Sequence, residues 1–291
     1  ASLDVILGDN FRYDFNYYVE NGYNLSLGFK SNYNQFNRNV ARELSGIDPT
    51  VAGANTINVD FSDYTSQIYF QSLFVQKFLI GGGLEYKFLK IESETVVNAS
   101  PIFDKSSYFS TFAYMNYDSF DSKNFPTRGW YFSGDIKSYL FSSDYTKTFE
   151  PFSIVKADFG VAATVFNHAT VKLQTDAGLS FGNESVPFFN FILGGYGYKP
   201  INNFKHFYGY DFLSIAGDSY IKTAVTFDYQ LFKNSHVNFT ANYANLGNRI
   251  FESVDWISLP KYSGYALGYG LETVIGPIEI KHSWSPENSK G

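Results

Sequence analysis

Ser180 stands in Gly178-Leu179-Ser180-Phe181-Gly182, the Gly-x-Ser-x-Gly spacing of a hydrolase nucleophile elbow. In such an elbow a sharp strand-to-helix turn exposes the serine Oγ to a histidine base and sets backbone N–H groups around an oxyanion. Here the pentapeptide continues the alternation of Val171 to Phe181, so it is expected inside an extended strand, with Ser180 on the wet face and no elbow. The four histidines, His168, His206, His236 and His282, are far apart and none has metal-ligand spacing, so interfacial or solvated positions are expected for them. Gly81-Gly82-Gly83 and Gly268-Tyr269-Gly270 imitate phosphate loops, but no helix follows to complete an anion site. Gly268 and Gly270 more simply make room, or let a loop come close. The absence of cysteine excludes disulfides and thiolate metal sites. No catalytic residue, metal or cofactor is expected in this chain, and an enzyme built on Ser180 is the last of the readings.

The elements around these residues are strands. In Ser219 to Phe232, Ile221, Thr223, Val225, Phe227, Tyr229 and Leu231 fall on one face and Lys222, Thr226, Asp228 and Gln230 on the other. Phe11 to Glu20 and Trp130 to Leu140 repeat the pattern, as do Val171 to Phe181, Val237 to Tyr243, Tyr265 to Ile275 and Ile278 to Trp284. A period of two sustained this often is the signature of sheet. Composition agrees: 20% of the chain is aromatic, with 24 Tyr and 31 Phe, and such side chains favour a pleated sheet over a helix. The net charge of −6 is spread along the chain, leaving no basic footprint for nucleic acid.

A soluble β protein turns its apolar face inward and carries charge outside. In this chain the apolar faces hold large aromatics near strand ends, as the interface girdles of a membrane barrel do. The longest apolar run, Phe159 to Phe166, is about half of what a helix needs to cross a bilayer. The connections also alternate. Tight turns are expected near 20–22, 80–82, 167–168, 233–235 and 276–277, and longer polar segments at 37–58, 92–106, 142–149, 183–217 and 246–262. Short periplasmic turns alternating with longer outer loops are expected of an outer-membrane barrel.

The expected fold is therefore all-β, a transmembrane antiparallel up-and-down β-barrel. The 13 strands fall at 2–8, 11–20, 22–36, 60–79, 82–92, 107–119, 129–142, 152–166, 169–182, 218–232, 235–246, 262–275 and 277–284. Bacterial single-chain barrels close with an even number. Residues 1–291 are thus expected to form a single barrel domain that is incomplete at both ends. The lumen-facing charges should be Arg12, Asp14, Asp135, Lys137, Lys172, Asp176, Lys222, Asp228, Glu272, Glu279 and Lys281. Their mixed signs suggest internal ion pairs or a plug rather than an ion-selective pore.

Two segments carry a family resemblance. Asp121-Ser122-Lys123-Asn124-Phe125-Pro126-Thr127-Arg128-Gly129 resembles the Pro-Thr-Arg-Gly turn before a central strand in the surface-antigen superfamily of outer-membrane barrels, which includes BamA assembly factors and two-partner secretion transporters. Phe191-Ile192-Leu193-Gly194-Gly195, with Tyr208-Gly209-Tyr210-Asp211, resembles that superfamily's lumen-tucked sixth loop, and implies that 183–217 folds into the lumen. The superfamily's loop carries Arg-Gly-Phe/Tyr, and its arginine pins the loop inside the barrel. Tyr208 stands in that place here, a departure that bears on insertase activity. The Tyr-Gly-Tyr-Asp form, with 262–270 and 276–281, is similar to the C-terminal barrel of patatin-like phospholipases of Bacteroidetes-type bacteria.

That resemblance implies a 16-strand parent and an upstream patatin domain with a Ser-Asp dyad that hydrolyses lipid esters. The barrel would anchor that domain or help it reach the surface. An assembly or translocation barrel of BamA type is the alternative, and a passive porin the third reading. The expected partners are outer-membrane lipid and lipopolysaccharide, together with an upstream periplasmic or secreted domain or other outer-membrane proteins.

Overall fold

In a computed structural model, residues 1–8, 11–21, 25–41, 56–93, 102–145, 147–182, 189–197, 203–212 and 214–288 are described. Parts of the expected long loops, at 42–55, 94–101, 183–188 and 198–202, lie outside them. The strands are β1 (Ser2–Ile6), β2 (Phe11–Glu20), β3 (Leu25–Ala41), β4 (Thr56–Phe74), β5 (Phe78–Glu92), β6 (Ile102–Asp118), β7 (Arg128–Ser142), β8 (Phe152–Phe166) and β9 (Ala169–Gly182). After three short strands, β10 (Phe191–Leu193), β11 (Phe204–Lys205) and β12 (Ile215–Gly217), come β13 (Ser219–Phe232), β14 (Ser235–Gly247), β15 (Tyr262–Thr273) and β16 (Gly276–Trp284). Thirteen of them form one sheet in chain order, β1 to β9 and then β13 to β16, while β11-β10-β12 form a second. Among the described residues no helix is long and apolar enough to cross a membrane.

The alternation in sequence becomes two-sidedness in space. On β13, Val225, Phe227, Tyr229 and Leu231 are exposed while Lys222 is buried. On β15, Leu267, Tyr269 and Leu271 are exposed beside buried Ala266, Gly268 and Gly270. Large apolar side chains are thus turned outward while lysine and small residues lie on the covered side, the arrangement hydrocarbon solvent selects.

Two turns lie elsewhere than expected: that at 276–277 is at 274–275, with Gly276 and Pro277 paired in β16, and that at 80–82 is displaced further. Gly81-Gly82-Gly83 are inside β5, and the hairpin closes over Val75, Gln76 and Lys77, with Phe74 paired to Phe78. Val75 and Gln76 take positive φ values of 51° and 58°. The glycines answer a packing demand: a Cβ at Gly81 would meet the Tyr114 ring, and one at Gly83 the carbonyl of Ile68.

Contacts divide the chain into two compact units. Unit 1 comprises Ala1–Met115, Asp135–Val155 and Ser180–Phe188. Its polar face is laced by ion pairs. Lys87 meets Asp63 at 2.5 Å and Lys137 meets Glu85 at 2.5 Å, with Gln67 donating to Glu85 at 2.5 Å and Asn34 to Asp63 at 3.1 Å. Unit 2 comprises Asn116–Gly134, Lys156–Leu179 and Phe189–Gly291 and contains the two motif segments.

Replacing Glu85 with Ala removes the carboxylate on which Lys137 rests, and breaking a buried pair from one side costs about 3–5 kcal/mol. The temperature at which the folded, heat-modifiable band is lost in gel electrophoresis should fall clearly for Glu85→Ala and less for Glu85→Gln. An unchanged transition would show that the network contributes nothing.

Candidate functional site

The polar face of β13 to β16 in unit 2 is covered from one end by the loop between β9 and β13. Its small sheet pairs β10 parallel with β11 and antiparallel with β12. Phe191, Leu193 and Phe207 are fully buried, and Phe191 packs 4.8 Å from the Tyr220 ring, whose hydroxyl donates to Asp176 at 2.9 Å.

Polar contacts then pin the loop. The Tyr208 N–H donates to Asn242 Oδ1 at 2.8 Å, and Asn242 Nδ2 donates to the Gly264 carbonyl at 3.0 Å. A Cβ at Gly264 would collide with the Tyr208 carbonyl oxygen, so that close approach requires glycine. Lys281 Nζ donates to the Tyr208 hydroxyl at 3.0 Å and pairs with Glu279 at 2.9 Å. The Tyr196 hydroxyl donates to the same carboxylate at 2.9 Å, and Lys281 lies 5.2 Å from both tyrosine ring centroids. Burial and the Glu279 charge raise the Tyr196 hydroxyl above its ordinary pKa, keeping it a donor.

Gly209 has φ 79°, and a side chain there would meet the backbone of Trp284. Gly194 and Gly195 form the bend after β10, where the Gly195 N–H donates to the Tyr210 carbonyl at 2.8 Å and a Cβ at Gly194 would strike the Asp211 carbonyl. Tyr210 packs 5.3 Å from Phe207 and edge-on to Tyr262.

At the other end, the turn between β6 and β7 is organised by Asp121. Its carboxylate accepts the Thr127 amide at 2.8 Å, the Thr127 hydroxyl at 2.5 Å and the Arg128 amide at 3.2 Å. Burial alone would raise this carboxyl, but those donors outweigh it and hold it below its usual range. Gly129, with φ 108°, continues into β7 at a point where a Cβ would strike the Ser119 carbonyl. Pro126 is buried, and Phe125 stacks 4.2 Å from the His236 ring in the space Gly270 leaves open. His236 is thus 3% exposed and bonded through Nδ1 to Asp228 at 2.8 Å, a correction to its expected interfacial or solvated position. The cause is Phe125, whose ring covers it. His206 is also part-buried, in the loop.

Between turn and loop, within unit 2, lies a cavity of about 480 Å³ whose lining includes Phe125, Lys172, Tyr208, Asn242, Glu279 and Lys281. Lys222 pairs with Asp176 at 2.8 Å and donates to the His206 carbonyl at 3.2 Å. Lys172 lies 5.8 Å from the Phe120 ring. In unit 1, Asp14 pairs with Lys30 at 3.1 Å, while Arg12 and Asp135 are part-buried on the same alternation. Glu272 is part-buried near the end of β15, its backbone bonded to Asn234. Ser180 lies in the continuous strand β9, and among the described residues no histidine is bonded to its Oγ. No cluster of His, Cys, Asp and Glu among those residues could hold a metal.

Asn242 and Phe125 escaped the sequence reading as contact residues. The parity of β14 puts Asn242 on the polar face, and Phe125 stands beside the Pro-Thr-Arg-Gly turn, but neither signal names a partner.

A family description, the OMP85 superfamily, matches residues 1–291. The chain belongs to the OMP85 superfamily. It is accordingly an outer-membrane protein, and its fold is the transmembrane up-and-down β-barrel. Among solved structures it is similar to BamA from Haemophilus ducreyi lacking POTRA domains 1–3, with a TM-score of 0.68 and 14% identity over 96% of this chain and 59% of that one. It is also similar to CdiB from Acinetobacter baumannii, with a TM-score of 0.56 and 12% identity over 94% of this chain and 50% of that one. The superfamily chain thus spans between half and three-fifths of those two proteins. No curated protein matches it in sequence.

The loop contacts yield two expectations. Asn242→Ala should expose 203–212 to limited proteolysis, because losing two buried hydrogen bonds and orphaning the Tyr208 N–H costs about 1–3 kcal/mol; an equally resistant loop would mean that Asn242 does not hold it. His206 is pushed down to about 4 by burial and by Lys222 and Lys205, against a smaller opposing pull from Asp176. A docked pKa below the free value of 6.5 means that protonation favours release, so docking is intact above about 6.5 and weakens as pH falls toward about 4. Protease cleavage should accelerate over that window, and His206→Gln should flatten the dependence; a variant that keeps the same profile would assign it to another group.

Proposed function

We propose that this chain is the membrane-anchoring, and also translocating, barrel of a larger protein whose further domain is a patatin-like phospholipase. The observation that carries this reading is the way the Tyr-Gly-Tyr-Asp loop docks. Tyr208 uses its amide on Asn242 and its hydroxyl on Lys281, so the loop is held without the arginine of the assembly-factor loop. That loop form is the one resembling the phospholipase barrels. On this reading the chemistry belongs to the attached domain, and the barrel supplies the membrane seat and the passage.

The second reading is a barrel for assembly or translocation of other outer-membrane or secreted proteins. The well-formed Asp121–Gly129 turn favours it, together with the likeness to the BamA and CdiB barrels. A passive porin fits less well, since the polar face of β13 to β16 is occupied by a folded loop.

The intact protein isolated from outer membranes should react with a serine-directed fluorophosphonate at a segment outside residues 1–291 and release fatty acid from phospholipid. Absence of both would overturn the first reading. A general fall in other outer-membrane proteins on depletion would replace it with the second.

A further inference from the structure

The segment 248–261 between β14 and β15 does not stand away from the sheet. On β14 the outward positions are Phe239, Ala241, Tyr243 and Asn245, opposite inward Asn238, Thr240, Asn242 and Ala244. Asn245 is nevertheless 4% exposed, because the loop folds back over it. Asn245 Nδ2 donates to the Ser258 carbonyl at 3.2 Å and its Oδ1 accepts the Lys261 N–H at 2.9 Å. The other end of the loop is fixed on β13, where the Ile250 N–H donates to Ser219 Oγ at 3.0 Å; Ser219 has the same outward parity as Ile221.

Pinned at both ends, the loop presents apolar side chains. Ile250 is buried, while Leu259 is 90% exposed, Val254 71%, Ile257 63% and Trp256 40%. Its backbone is partly satisfied from within: the Ile257 N–H donates to the Val254 carbonyl at 3.1 Å, and the Ser258 hydroxyl to the Asp255 carbonyl at 2.9 Å. Such internal bonding lowers the cost of placing a non-helical segment against lipid. Just below Asn245 on the same face lies an aromatic band. Tyr243 and Tyr265 share a hydroxyl contact at 3.3 Å, Tyr265 stacks on Trp284 at 6.0 Å, and Phe239 packs 6.3 Å from Tyr265. Bands of this kind mark where the hydrocarbon ends.

We propose that residues 254–259 form an interfacial anchor, seating Val254, Trp256, Ile257 and Leu259 at the boundary between headgroups and acyl chains of the outer leaflet. The occupant is lipid because the tip continues the lipid-facing band of β14 to β16 on the same side of the sheet, held there by Asn245. The loop extends the apolar belt beyond the strand ends of this sector and ties its outer rim to the membrane.

The test uses the intact protein in phospholipid vesicles, with an environment-sensitive fluorophore on Leu259→Cys and, for comparison, on Lys123→Cys in the turn at the opposite end. The unsubstituted protein gives the labelling background. The label at 259 should be quenched several-fold more than that at 123 by lipids brominated near the headgroup, and several-fold less by aqueous iodide. Asn245→Ala should restore iodide access at 259 while the folded, heat-modifiable band persists. Equal iodide access at both positions with no bromolipid quenching would overturn the proposal. So would a label at 259 that is shielded from iodide yet indifferent to brominated lipid, since the occupant would then be protein.

Discussion

Hydrocarbon offers no partner to a backbone N–H or carbonyl, and in this chain most of the rest follows from that. Each spanning segment must give its polar groups to neighbouring strands, so the thirteen strands pair in chain order. Because a strand's side chains alternate, the same pairing divides each strand between two solvents. Phe227 and Tyr229 meet lipid while Asp228, between them, bonds to His236. The covered face therefore mixes charged groups with apolar ones, as Glu85 and Lys87 share the buried side of β5 with Leu89 and Ile91. Wherever that face is charged, order must come from hydrogen bonds and charge pairs as well as from packing.

That requirement explains how the polar face is furnished. In unit 1, opposite charges on the strands pair directly, Lys87 of β5 with Asp63 of the neighbouring β4 and Lys137 of β7 with Glu85 of β5, across β6. In unit 2 such pairs recur, as Lys222 with Asp176, and inserted segments add partners to the strand side chains. Asn242, Lys281 and Glu279 receive Tyr208 and Tyr196 from the loop, and His236 with the gap at Gly270 receives Phe125 from the turn. The small residues Gly264 and Gly270 are thus counterparts of particular visitors.

What could be read in the sequence was whatever depends on local period. Alternation located all thirteen strands of the large sheet, and parity placed Lys222, Glu279 and Lys281 on one face. Partner choice was not legible, because it depends on register across strands distant in sequence: Tyr208 meets Asn242 across 34 residues and Lys281 across 73. The hairpin at 75–77 was misplaced because glycine is the usual mark of a turn, whereas Gly81 and Gly83 make room for Tyr114 and for the neighbouring strand. The apolar tip at 254–259 was hidden for a related reason. A segment between strands reads as a polar outer loop until Asn245 shows on which side of the sheet it is fastened.

Fastening the loop through Tyr208, a side chain without charge, sets the energetics of its docking. A loop that carries a buried cation takes the charge with it on leaving and strands the carboxylate it was paired with, a costly step. Here the cation belongs to β16, and Lys281 has a carboxylate partner on its own strand, Glu279 at 2.9 Å. Undocking therefore breaks neutral and charge-assisted hydrogen bonds to Tyr208 and Tyr196 but leaves the ion pair on the strand intact. Hydrogen bonds of this kind contribute roughly 0.5–3 kcal/mol each. A loop fastened by several such bonds and by the packing of Phe191 and Phe207 is stable when docked, yet its release leaves no uncompensated charge on the polar face.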